Sequence, residues 1–427
     1  MNCFKIFSLI FILLSIFSCK EETDENPPII NLTSPTENTQ YFVLESIPIR
    51  ATITDDENIK SVQVSLIQEQ SGKKVLGSLF YTPNTSNYRL EATFKLSDSL
   101  LASGSYYFRI EALDENNTAV VFQYIRVIGI PKKKIELIAF CGLNSSTTVY
   151  ADKNDFNFQQ KTVFNAPYFS STINNYDQQL WFLPADNSSM LAFHLNENAI
   201  QFNQSVMSGF NSAFTDLVSY NRSVLVSTKE GEILGYSENY AKNYNYQTLG
   251  DRTINKLAAN KNYVIADEAD LNGDNRMANI LFESTGAVKS RISINYSCVD
   301  IYFLEEEQVI LFQNDEQGGR ISELNIQANA RRTVKTFADS IVAVEQVKSD
   351  EYLLSTATKV LKYNYSNGNL IDYLFTPYAL VRYDDFDNQL YVAAGNELKR
   401  YNYPFNSPIE STTLPEEIKG LEVRFNR

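Results

Sequence analysis

One histidine, His194, stands in the whole chain, inside the apolar run MLAFHL. Neither a Ser/His/Asp relay nor a His-based metal cluster can be assembled around a single imidazole. Paired carboxylates are the remaining route to acid-base cleavage of a glycoside, but 51 acidic residues will always place some pair ~5 to 10 Å apart, and no His, Tyr and Arg set converges with them. The expectation is a protein that is not an enzyme. Ligand-like spacing occurs in ADEADLNGDNRMAN, 266–279, where Asp270, Asn272 and Asp274 alternate. A hard cation wants several such oxygens at ~2.4 Å, so calcium is the one cofactor the sequence suggests, against the plainer reading of an acidic, solvated hairpin. QNDEQGGR, from Gln313 to Arg320, carries two glycines that permit positive φ, and it reads as a plain hairpin.

Cysteine chemistry divides the chain at its start. Residues 6–17 run apolar after Lys5, about a dozen residues against the ~20 that a membrane-crossing helix needs, which is the pattern of a signal peptide. Ser18 before Cys19 resembles a lipobox, with Ile16 and Phe17 a loose fit, and the resemblance implies cleavage and a lipid on Cys19; an ordinary secretory signal is the alternative. Lys20, Glu21 and Glu22 resemble the surface-export signal of lipoproteins in gliding and glycan-foraging Gram-negative bacteria, with the periplasmic leaflet as the other destination. The polar run to Asn26 has too little apolar surface to fold and reads as a tether. Loss of Lys5 leaves 36 basic and 51 acidic residues, a net charge of −15, which argues against nucleic acid as a partner. Cys141 and Cys298 fall in different repeats and are expected as two buried thiols.

The elements that would position these groups are all strands. From about Pro27 to Ile130, alternating segments begin at Ile47, Ile59, Tyr88, Ser105 and Ala119 at the spacing of a β-sandwich. Ile47, Ile49, Ala51 and Ile53 alternate with polar residues, as do Val62, Val64 and Leu66, so each strand should bury one face. The phrases ATITDDENIKSVQVSL and SGSYYFRIEALDENNTAVVFQYIRV resemble bacterial immunoglobulin-like stalk repeats, which implies a spacer. Asp55, Asp56, Glu57 and Asp114 are similar to the calcium ligands of cadherin-like modules, and are weighed here as solvated hairpin tips.

Beyond Lys132, Lys133 and Lys134 a pattern repeats at ~40 residues. One apolar strand begins at Ile135, Gln179, Ser223, Asn262, Gln308, Glu351 and Gln389, and a more amphipathic one follows each time, giving seven pairs. Polar outer strands start at Phe158, Tyr244, Ala287 and Asn369. Inner strands precede most pairs, as in FTDLVSY, INKLAAN, VDIYFLE, IVAVEQV and YALVRYD. Four strands per unit indicate a propeller, with a β-helix as the rival. The first unit lacks an inner strand and KGLEVRF, from Lys419, is unpaired, so the latter should close the ring and leave no open edge. This half resembles the WD-type and quinoprotein-like propellers in architecture without their motifs, and Trp181 is the only tryptophan. DLNGDNRMANIL is similar to the calcium hairpin of integrin-type repeats, which by that resemblance would make Asp270, Asn272, Asp274 and Asn279 ligands; Asn275 and Asn279 stand where that family has Gly and Asp.

The sequence therefore predicts an all-β chain: signal peptide 1–18, tether 19–27, immunoglobulin-like sandwich 28–130, linker 131–134, and a seven-bladed β-propeller 135–427 closed by a C-terminal velcro strand. The expected role is an outer-membrane, surface-exposed lipoprotein whose propeller binds an envelope or cell-surface protein, with a glycan as the alternative ligand, a propeller carbohydrate-active enzyme as the third reading, and the membrane met through Cys19.

Overall fold

Side-chain alternation governs the first unit. In the computed structural model, which describes residues 26–142, 145–153, 155–206 and 208–426, the chain divides into one unit up to Pro131 and a second from Lys132. Residues 1–18, expected as a signal peptide, and Cys19 lie outside the described residues. Strand Ser46–Ile59 buries Ile47, Ile49, Ala51 and Ile53 and turns Ser46, Pro48, Arg50 and Thr52 outward. Each of those isoleucines contributes about 1.5–3 kcal/mol by leaving water. The strand pairs with Ile29–Ser34 on one side and Thr85–Lys95 on the other. A five-stranded sheet faces them, in the order Thr39–Phe42, Thr118–Ile128, Gly104–Leu113, Ser61–Gln68, Leu79–Tyr81. Val62, Val64, Leu66, Phe94 and Phe108 fill the space between the sheets. This is the immunoglobulin-like sandwich that the alternation predicts.

The second unit is a ring of seven four-stranded antiparallel sheets. Blades 2 to 7 follow chain order, spanning 168–204, 214–247, 252–293, 298–337, 341–374 and 380–413. Their second strands are buried almost throughout and apolar at consecutive central positions because both faces are covered. Leu180 and Phe182 of Gln179–Pro184 pack toward blade 1, whereas Trp181 and Leu183, one residue out of phase, pack toward blade 3. Blade 4 repeats the arrangement, with Val264 and Ala266 toward blade 3 and Tyr263 and Ile265 toward blade 5. Seven such clusters, one per blade junction, replace a single central core. Phe182, Tyr263, Tyr352 and Tyr391 are all buried in them.

Blade 1 is assembled from both ends of the unit. Ile418–Phe425 is its inner strand and pairs with Lys134–Cys141, Leu421 opposite Ala139 and Val423 opposite Leu137; Thr147–Asp152 and Gln159–Phe164 follow. The ring is closed as the sequence predicts. Closure is bonded as well as packed. Arg424 donates to Glu136 Oε1 at 2.7 Å and to Gln178 Oε1 at 2.7 Å, and also to Asn196. Gln178 Nε2 in turn donates to the Phe425 carbonyl at 2.8 Å. The structure moves one boundary. Lys134, read as linker, opens the second strand of blade 1, and its buried ammonium meets Asp387 at 2.8 Å, the Tyr391 hydroxyl at 2.9 Å and Asp384 at 3.2 Å. Its partners lie in blade 7, so the basic residues help to join the ring instead of spacing two domains.

Replacing Arg424 with Ala removes one of the two cations from a glutamate that is 1% exposed and takes the donor from the buried Gln178 amide oxygen. Breaking a buried pair in this way costs about 3–5 kcal/mol. The expected outcome is a lower propeller melting temperature in Arg424→Ala, with the sandwich transition unchanged, measured by calorimetry.

Candidate binding site in the propeller channel

Each inner strand from blade 3 onward brings one charged residue to the channel wall: Asp216, Lys256, Asp300, Glu345, Arg382 and, on the closing strand, Glu422. Asp216, Lys256, Asp300 and Arg382 line a cavity of about 460 Å³, to which blade 2 contributes Ser170 and Ser171, while Glu345 and Glu422 pair with Arg382 beside it. Strand geometry explains the recurrence. Equivalent positions of equivalent strands repeat around the ring, and any side chain there meets the neighbouring blade across the channel rim.

Nearly every charge is used between blades. Lys256 Nζ lies 3.0 Å from Asp216 Oδ1, and the Leu257 amide donates to Asp216 Oδ2 at 2.8 Å. Tyr302 donates to Asp300 Oδ2 and to the Val344 carbonyl, both at 3.0 Å. The Tyr383 amide donates to Glu345 Oε1 at 2.7 Å while Arg382 Nη1 meets Oε2 at 3.3 Å. Arg382 also pairs with Glu422, whose Oε1 accepts from Ser171 at 3.2 Å. Burial raises the carboxyls of Glu345 and Glu422, only in part offset by Arg382. Asp300 is pushed up to about 6 by burial and by the nearby Asp216 charge, against the pull of Lys256. Burial alone would lower Lys256 and Arg382, yet the carboxylates around them hold both above their ordinary values. Such a wall can hydrogen-bond a small polar ligand. Its acids and bases are engaged with one another.

The sequence-derived candidates lie elsewhere. Asp270, Asn272 and Asp274 share the turn between Tyr263–Asp270 and Met277–Phe282, where Asn275 donates to Asp270 Oδ2 at 3.0 Å and Asp270 Oδ1 is buried without a partner. Asn279 is not with them. It pairs in register with Ala266, four residues and ~13 Å along the strand from Asp270, and its buried amide donates to Glu268 at 2.9 Å and to the Tyr246 hydroxyl. The four-ligand set is corrected on that point: strand pairing carries Asn279 into the wall between blades 3 and 4. Two guanidinium groups also flank the turn, Arg252 donating to the Asn275 carbonyl at 2.7 Å and Arg276 paired with Asp267 at 3.4 Å. The 313–320 segment is a plain hairpin, as expected. Gly318 has φ 136°, but Gly319 is required for a different reason: a Cβ there would lie 2.3 Å from the Phe337 ring.

His194 ends the third strand of blade 2, where its Nδ1 accepts from the Glu197 amide at 3.3 Å. Cys141 and Cys298 are buried in blades 1 and 5 and unbonded. Burial pushes the first up to about 12 and the second well above the usual thiol range, so neither is a ready nucleophile. No sequence signal sets the channel charges apart, although the inner strands of blades 3 to 7 each carry one: Asp216, Lys256, Asp300, Glu345 and Arg382.

The fold defines a bacterial immunoglobulin-like domain joined to a seven-bladed propeller. A family model described as a bacterial Ig domain matches residues 28–110, and such domains are typical of extracellular and surface proteins. No curated protein sequence matches the chain. Among solved structures, it is similar to a quinonprotein alcohol dehydrogenase-like protein from Bacteroides thetaiotaomicron at 10% identity, covering 93% of this chain and 99% of that one with a TM-score of 0.46. It is similar also to the computationally designed Ika8 protein, at 11% identity over 67% and 90% with a TM-score of 0.47. A chain of a mitotic checkpoint complex matches at 12% identity over 61% and 81%, with a TM-score of 0.48.

The Asp300 shift has a definite sign. Its native carboxyl holds a proton that the unfolded chain releases near pH 4, so the native state loses stability as pH rises from about 4 to 6 and keeps that loss above. Asp300→Asn removes this dependence. Denaturant titrations at pH 4.5 and 7.5 should show the variant gaining roughly 1–2 kcal/mol relative to wild type at the higher pH.

Proposed function

We propose that the chain is a non-catalytic surface lipoprotein, anchored through a lipid on Cys19, whose propeller binds a protein of the cell envelope. One observation carries the reading. Antiparallel strands alternate in direction, so the loops that follow outer strands and those between second and third strands emerge on one face of the ring. That face presents Phe210, Leu249, Leu271, Phe375 and Tyr378, all exposed, with Phe375 at 82% and Tyr378 at 65%. Large apolar side chains held out on loops are the anchors that protein interfaces favour. The interlocked channel charges agree with a rigid platform better than with a reactive centre.

A glycan ligand is the second reading, favoured by the outward face of the five-stranded sheet in the sandwich. Tyr107 packs edge-on to Phe122 with ring centroids 5.5 Å apart and lies 5.5 Å from Tyr124; Phe122 and Tyr124 are exposed. Flat rings on a sheet can stack against sugars.

Affinity purification from detergent-solubilised membranes should recover a stoichiometric membrane protein, and Phe375→Ala with Tyr378→Ala should weaken its binding at least ~30-fold, as hot-spot losses of 2 kcal/mol or more imply. Glycan-array binding that depends on Phe122 and persists in that double variant, with no protein recovered, would favour the second reading. For the anchor, Cys19→Ala should abolish incorporation of labelled palmitate and move the protein from the membrane to the soluble fraction.

A further inference from the structure

Two carboxylates at one edge of the sandwich are left in an uncomfortable state. Asp114, 1% exposed, opens the turn between Gly104–Leu113 and Thr118–Ile128. Its Oδ1 accepts the Asn116 amide at 2.6 Å and the Asn117 amide at 2.5 Å, but its Oδ2 is buried with no partner. Asp55, in Ser46–Ile59, accepts the Asp56 amide at 3.0 Å through Oδ1, and its Oδ2 is likewise buried and unpartnered. The two charges act on each other, and together with burial that repulsion holds the Asp55 carboxyl above its ordinary range. Neither carboxylate is bonded to Lys or Arg among the described residues. Unpaired buried oxygens of like charge are among the least favourable arrangements a core can hold, and native proteins leave few of them.

Other oxygens surround the same spot. Asn26 donates to Asp56 Oδ2 at 2.9 Å, and its carbonyl accepts from the Asn117 side chain at 3.4 Å. A cavity of about 510 Å³ is lined by Asn26, Thr54, Asp55 and Asp56. We propose that Asp55 and Asp114, completed by neighbouring main-chain or amide oxygens and water, bind one calcium ion at this edge of the immunoglobulin-like domain. Among the described residues no three carboxylate, imidazole or thiolate groups converge on a metal. A small, strictly octahedral ion suits such a set poorly, whereas calcium tolerates few carboxylates with many neutral oxygens and an irregular shell. The inference reverses the sequence-based weighting of Asp55 and Asp114 as solvated hairpin tips: both orphan oxygens are buried. It is independent of the proposed function.

The test uses the full mature chain. Calcium chloride titrated calorimetrically into chelator-treated protein should show a single site with a Kd of about 10⁻⁴ to 10⁻³ M, the range of extracellular modules. At about 5 mM calcium the sandwich transition should melt several degrees higher than in chelator, by mass action on the folded state. Asp114→Asn keeps an oxygen for the Asn116 and Asn117 amides while removing the repulsion. It should therefore melt no lower than wild type in chelator and lose at least 10-fold in calcium affinity, and Asp55→Asn should do the same. Asp270→Asn with Asp274→Asn should leave the heat and the shift intact. The proposal is overturned by an absent calcium heat in wild type, by a shift that survives both Asp55→Asn and Asp114→Asn, or by one that disappears in the Asp270 and Asp274 variant. If Asp114→Asn fails to fold, the Asp55→Asn titration decides alone.

Discussion

A sheet must not be left with an open edge. In the second unit this constraint falls on a single pairing, Ile418–Phe425 against Lys134–Cys141. Without it blade 1 has no inner strand, blades 7 and 2 lose the neighbour that covers their apolar faces, and Glu136 keeps only Lys161 of its two cations. The entropy lost in joining residues 288 positions apart grows only with the logarithm of the separation, so distance adds little to the thermodynamic cost. It adds more to the time required, since non-local pairings form late. Bonds concentrate at this seam. Arg424, Gln178 and Asn175 all fasten the closing strand to blades 1 and 2, and Lys134 fastens blade 1 to blade 7.

Closure makes the blade junctions the true cores of the molecule. Because each second strand buries both faces, its sequence must be apolar at consecutive positions, and a one-residue slip would exchange the residues facing the two neighbours without exposing either. Apolar packing therefore fixes burial more firmly than register. The polar channel supplies what packing leaves open, since Asp216 accepts from Leu257 and Glu345 from Tyr383 at defined positions of the next blade.

Seven apolar strands at ~40-residue intervals were legible because double-sided burial writes an unbroken hydrophobic run, and the closing strand was legible because one unit lacked a member. The inner strand of blade 2, Tyr168–Asn174, carries no such signal: YFSSTIN is mostly small and polar, and its Ser170, Ser171 and Thr172 line the channel cavity. Channel charges escaped notice for a related reason. Asp216 or Lys256 inside an alternating strand looks like an ordinary solvated face, and only the ring brings such residues together. Asn279 misled in the opposite direction, since spacing along a loop suggested a shared ligand where pairing with Ala266 sends it elsewhere. In the sandwich, alternation foretold the burial of Ile47 to Ile53, whereas the orphan oxygens of Asp55 and Asp114 depend on how the far end of that strand lies against a turn distant in sequence.

The carboxylates that cap a neighbouring blade's amide hydrogens share one direction. Asp216 of blade 3 takes Leu257 of blade 4, Asp267 of blade 4 takes Cys298 of blade 5, and Glu345 of blade 6 takes Tyr383 of blade 7. Blades 3, 4 and 6 thus each hold a gauge for the alignment of the one made after it. A blade seated one step out of place would strand a buried charge in its predecessor, so the ring can proofread its own assembly in the order in which its blades are synthesised.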